Sequence, residues 1–65
     1  MEVLTWQARI EKNLTLKQLE ALTGIGKTTL NNIENGLTSP TLWQMEQIAS
    51  ALGTKISNLY ESDYK

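Results

Sequence analysis

The chain has 65 residues, 40% hydrophobic and 20% charged, with a net charge of −1. A chain this short forms one domain, residues 1–65, and buries only about 60% of the surface its unfolded form exposes. It contains no cysteine and no histidine, which removes disulfide staples, a thiol nucleophile, zinc-finger ligands and the commonest general base, so the chain reads as a non-enzyme with no cofactor or metal. No apolar run approaches the roughly 20 residues that span a bilayer, and residues 1–5 lack the basic and apolar segments of a signal peptide. The expectation is a soluble, unprocessed, cytoplasmic protein without a membrane partner.

In chain order, Val3 to about Lys12 supports a first helix with two apolar stripes, Val3–Trp6–Ile10 and Leu4–Ala8, and the spacing does not choose between them. Trp6 is assigned to the core. Asn13 can end this helix in a left-handed conformation, and Thr15 with Gln18 forms a capping box that starts a second helix running to about Thr23. Leu19 and Leu22 point that helix inward, Gly24 supplies a turn, and Ile25 is an apolar plug. Gly26 caps a third helix, about Lys27 to Asn35. This helix buries Leu30 and Ile33 and leaves Lys27, Thr28, Asn31 and Asn32 outside.

Gly36 stops the third helix. Thr41 with Gln44 forms a second capping box, and Leu42, Met45, Ile48, Ala49 and Leu52 trace the apolar stripe of a fourth. Trp43 lies beside that stripe and is at least half exposed. Gly53 ends the fourth helix, Ile56 returns to the core, and Ser57 caps a last short helix carrying Leu59 and Tyr60. The polar tail Glu61 to Lys65 is expected to fray. Thr15, Thr41 and Ser57 are read as caps rather than nucleophiles, because no base is placed to activate them.

Residues 15–36 thus hold two short helices joined by a glycine-bearing turn, the layout of a helix-turn-helix, whose second helix can present its first residues to the major groove of DNA. A net charge of −1 is unusual for a nucleic-acid binder. The charge is unevenly spread, however: residues 9–27 carry four cations and two carboxylates, a net +2, whereas residues 28–65 carry two cations and four carboxylates, a net −2. The positive half contains both helix starts that would approach a phosphate backbone.

The run Leu14-Thr15, Leu19, Gly24-Ile25, Lys27-Thr28-Thr29-Leu30, Ile33-Glu34-Asn35-Gly36, Ser39-Pro40-Thr41-Leu42, Ile48-Ala49, Ala51-Leu52-Gly53 and Ile56 resembles the Cro and phage-repressor type, or XRE family, of DNA-binding domains. The resemblance covers nearly the whole chain. It implies an all-α, compact five-helix, lambda-repressor-like fold with the helix-turn-helix in helices two and three.

The resemblance further implies that Lys27, Thr28, Asn31 and Asn32 read bases, since lysine can donate to guanine and asparagine can pair with adenine. It places phosphate contacts at Thr15 and Lys17 at the start of helix two, and at Asn35, Gly36 and Thr38 after helix three. Arg9 and Glu34 are implied to form a partly buried ion pair locking helix one onto the recognition helix. Four positions depart from the pattern. Leu16 replaces a glutamine that contacts DNA, Glu20 a small residue that lets helices two and three approach, and Gly26 a serine cap. The loop Leu37-Thr38-Ser39 lacks a basic residue. Together these departures predict weak binding as a monomer.

The function implied is a sequence-specific transcriptional regulator, a repressor that binds a two-fold operator in double-stranded DNA as a homodimer, with no small-molecule ligand. Trp43, Tyr60 and Tyr64, with Leu37, form the expected dimer face. The alternative is a protein-interaction module of the same fold, antitoxin-like or a co-regulator, favoured by the acidic balance and the basic-poor loop.

Overall fold

Thr15 and Thr41 start two of the helices that enclose the core, and each does so by the reciprocal pairing its sequence spacing allows. In the computed structural model, which describes residues 1–65, Thr15 Oγ1 accepts from Gln18 N at 3.0 Å while Gln18 Oε1 accepts from Thr15 N at 2.8 Å. Thr41 and Gln44 repeat the arrangement at 2.9 and 3.0 Å. Two of the orphan donors around each helix start are thereby satisfied without solvent.

The element order is β1 (Glu2–Val3), α1 (Thr5–Glu11), α2 (Leu16–Thr23), α3 (Lys27–Glu34), α4 (Leu42–Leu52), a single 3-10 turn at Ile56–Asn58, and β2 (Tyr60–Glu61). The expected five helices are therefore four α-helices plus a small antiparallel sheet. The first helix begins at Thr5 rather than Val3, because Glu2 and Val3 pair with Glu61 and Tyr60 and Leu4 N donates to Leu59 O at 2.8 Å. The same pairing replaces the fifth helix and takes Glu61, the first residue of the expected polar tail, into a strand. Ser57 lies inside the 3-10 turn, whose cap position is Lys55, and Lys65 Nζ donates to Tyr60 O at 3.0 Å.

One continuous cluster, Leu19, Ile25, Leu30, Met45, Ile48, Ala49, Leu52 and Leu59, forms the core. Ile33 is buried as well. On α1, the choice left open by the two stripes falls to Leu4 and Ala8, which are half-buried, together with Thr5 and Arg9, which are buried. Trp6 and Ile10 face outward at 49% and 45% exposure, so Trp6 is not a core residue.

Leu22 also corrects the expectation, at 59% exposed. At about 100° per residue, Leu16, Leu19 and Thr23 fall within an arc of about 60°, and Leu22 lies about 90° from its centre. Thr23 can occupy the inner face because its hydroxyl donates to Leu19 O at 2.8 Å and accepts from Ile25 N at 3.1 Å. Leu42 keeps its side of α4 but sits at the first turn, 79% exposed, at the rim of an open cleft of about 290 Å³ with Met1, Pro40, Met45, Ile56 and Tyr60.

Thr5, 1% exposed, has a hydroxyl with no hydrogen-bond partner. A buried hydroxyl without a partner costs about 1–3 kcal/mol of desolvation. Thr5→Val removes the polar atom at nearly constant shape, and we expect it to raise stability by about 1 kcal/mol. In calorimetry this corresponds to a melting temperature roughly 4–8 °C higher; an unchanged or lower value would show that the hydroxyl is satisfied in solution.

Candidate nucleic-acid interface

The link between α2 and α3 is three residues long and each is fixed. Gly24 takes φ +73°, a left-handed value that favours glycine. Its amide donates to Glu20 O at 2.8 Å. Ile25 is buried in the core, and Gly26 opens α3 with no side chain able to cap it. Glu20 fills that role from the facing helix, its Oε2 accepting from Lys27 N at 2.8 Å. The departure at Glu20 and the departure at Gly26 therefore act as one arrangement. A carboxylate half-buried between α2 and α3 replaces the serine hydroxyl, and the two helices still pack against each other. Sequence reasoning missed this cap; the available signal was a glycine cap position with an acidic residue one helix earlier.

Lys27, Thr28 and Asn31 are exposed on α3, and Asn32 is half-buried. Asn35 Nδ2 donates to Asn31 Oδ1 at 3.3 Å, which leaves the Asn31 amide hydrogens and one lone pair for another partner. Asn35 closes α3, and Gly36 at φ +72° allows Gly36 N and Leu37 N to return to Ile33 O and Asn32 O at 3.2 and 2.9 Å. This paired closure fixes the backbone from Asn35 to Leu37.

Thr15 and Lys17 are exposed at the start of α2, where the capping box leaves the amides of Leu16 and Lys17 open. Leu16 itself packs partly buried against the core, the use this chain makes of a position where the family carries glutamine. Asn35, Gly36 and Thr38 line one polar cleft of about 490 Å³ with Gln7 from α1. Glu2 lines the same cleft, so its charge is unfavourable to a phosphate there. Gln7 was not singled out in the sequence, because only the fold brings α1 beside the loop after α3.

Arg9 and Glu34 come together as a forked pair. Arg9 Nε and Nη2 donate to Glu34 Oε2 and Oε1 at 2.7 and 3.0 Å, and Nη1 donates to Leu14 O at 2.7 Å. Their side chains are 9% and 3% exposed. One guanidinium thereby holds α1, the connection into α2 and the end of α3. Of the aromatics, Trp43 and Tyr64 are exposed, and Tyr60 is half-buried and lines a cleft with Leu42.

Residues 7–59 match the family model described as Helix-turn-helix. The chain belongs to the Cro/C1-type, or XRE, family of DNA-binding helix-turn-helix domains. A comparison with curated protein sequences finds no match. Among solved structures the chain is similar to the N-terminal DNA binding domain of SinR from Bacillus subtilis, with a TM-score of 0.81 at 26% identity, covering 94% of this chain and 90% of that one. The helix-turn-helix proper is α2, the Gly24–Gly26 turn and α3. No helix is long and apolar enough to cross a membrane.

Removing one member of a buried, hydrogen-bonded ion pair leaves the other charge uncompensated, at a cost of about 3–5 kcal/mol. Arg9→Met and Glu34→Gln should each lower the unfolding free energy obtained from urea titration by an amount in that range, a large share of the stability of a domain this size. A loss below about 1 kcal/mol, the value of a surface pair, would mean that the fork does not hold α3 in solution.

Proposed function

We propose that this helix-turn-helix domain is a sequence-specific transcriptional repressor that occupies a two-fold operator as a homodimer. The observation that carries the reading is the polar, exposed start of α3, held by a fixed turn, a cap and the Arg9 fork. Lys27, Thr28, Asn31 and Asn32 are the base readers; Thr15, Lys17, Asn35, Gly36 and Thr38 hold the phosphates. At 32 × 23 × 19 Å, each copy fits within one half-site, and the two half-sites lie about 34 Å apart on one face of the duplex. The neighbouring SinR domain, described as DNA binding, supports this reading.

The pairing face is the side of α4 and β2 bearing Trp43, Tyr60 and Tyr64. The open cleft shared by Tyr60 and Leu42 supports it, since the cleft leaves apolar surface uncovered in a single copy. The same exposed apolar residues, with Leu37 at 72% exposure, favour the second reading, a module of this fold that docks onto another protein.

Selection from a randomised duplex pool, followed by fluorescence anisotropy across a salt series, tests the DNA reading. A two-fold site should be enriched, with affinity falling steeply as salt rises. Lys27→Ala and Asn31→Ala should each reduce discrimination by roughly 1–3 kcal/mol, whereas Lys17→Ala weakens all sequences alike. A folded chain that enriches nothing at low salt would move the assignment to the protein-docking module. In sedimentation equilibrium, Trp43→Ala should weaken self-association by about tenfold or more, and an unchanged dimer constant would place the interface elsewhere.

A further inference from the structure

Glu20 does more than close a helix end. Oε2 takes the Lys27 amide at 2.8 Å, but Oε1 has no hydrogen-bond partner and no cation forms a salt bridge with the carboxylate. The hydrogen bond from Lys27 N and the positive end of α3 favour this position of the group, beside the residues that open α3. It lies at the same helix end as Lys27 and Thr28. Lysine presents only donors, while threonine and asparagine present both donors and acceptors; an ionised carboxylate presents only acceptors.

In the major groove, cytosine offers the N4 amino donor, and its guanine partner offers the N7 and O6 acceptors. A fixed acceptor beside a flexible donor matches the two halves of a G·C pair. We propose that Glu20 is a base-reading residue that selects cytosine, next to a guanine read by Lys27. This inference rests on the DNA-binding reading above. The carboxylate also occupies the anion slot that the start of α3 would otherwise offer a phosphate, and it repels phosphates nearby. It therefore lowers affinity for every duplex and recovers the loss only where a cytosine amino group meets it, which is discrimination by exclusion.

A merely structural cap and a base reader respond differently to two variants. Glu20→Gln keeps an oxygen for Lys27 N but gains an amide donor suited to adenine. Glu20→Ala combined with Gly26→Ser moves the cap to a hydroxyl at the helix start itself. The Gly26 position has room for it, since an added Cβ would meet nothing closer than Glu20 Oε2 at 4.0 Å, an atom the same variant removes.

The 65-residue chain and both variants are taken through the randomised-pool selection, with thermal melts to show that each is folded. The parent should enrich a cytosine at one position of each half-site, and exchanging that base should weaken binding by roughly tenfold. Glu20→Gln should shift that position to adenine and bind non-specific duplex more tightly. The Ala/Ser variant should lose preference at that position alone while its melt stays near the parent's. If both folded variants enrich the parent's sequence with unaltered relative affinities, Glu20 is a cap only and the proposal fails while the regulator reading stands. If the folded parent enriches nothing, the regulator reading fails and takes this inference with it.

Discussion

The guanidinium of Arg9 is the point on which the proposed recognition surface depends. Its contacts to both carboxylate oxygens of Glu34, 25 residues on, and to the carbonyl of Leu14 join α1 to the end of α3 and to the connection into α2. α1 is only 7 residues long and its start has no side-chain cap, so helix propensity alone would not hold it. The fork sets the position of α1 and, through Glu34, the tilt of the last turn of α3. A forked pair of this kind constrains direction as well as distance, which a lysine at position 9 would not do.

From that anchor the rest of the surface is built by short-range devices. Gly24 reverses the chain, Ile25 pins the turn to the core, and Thr23 satisfies its own buried hydroxyl while bonding the amide of Ile25. Gly36 turns the backbone out of α3 and is tied back to it, so the proposed readers and the proposed phosphate contacts at Asn35 and Gly36 lie on one continuous, hydrogen-bonded stretch. Rigidity of this sort spares the ordering cost that a flexible binding segment would incur on meeting DNA. Lys17 and Lys27 both belong to the net-positive segment 9–27 and stand exposed at the starts of α2 and α3, so an overall −1 does not contradict DNA binding.

The features legible in the sequence are those fixed within four or five residues. The Thr15–Gln18 and Thr41–Gln44 boxes, the left-handed Asn13, Gly24 and Gly53, the plug at Ile25 and the buried Leu30 and Ile33 follow from local spacing. Where the answer lay in what packs from afar, spacing was silent or misleading. Trp6 and Ile10 are as periodic as Leu4 and Ala8, and only the rest of the fold decides which pair is covered. Leu22 satisfied an i, i+3 rule but lost the inner face to Thr23, whose hydroxyl can bond its own helix. The Glu20 cap joins different helices, and the strands pair residues from opposite ends of the sequence, so neither leaves a local trace. The Arg9–Glu34 contact is also distant, and it was reached through family resemblance rather than spacing.

The small sheet has a bearing on how the fold comes apart. Glu2 and Glu61 sit directly opposite in its register, two like charges where cross-strand attraction would have helped. Closing a loop that spans nearly the whole chain is entropically costly, and the strands return only two residue pairs for it. They are therefore expected to open first. Once they part, the amide of Leu4 loses the Leu59 carbonyl and α1 begins to unwind from its uncapped end while α2, α3 and α4 still stand. A partly open form of this kind is expected to show as early hydrogen exchange in residues 3–8 against slow exchange around Leu19, Leu30 and Ile48. Opening from this seam, where β1 and β2 meet, would leave the proposed reading helix in place.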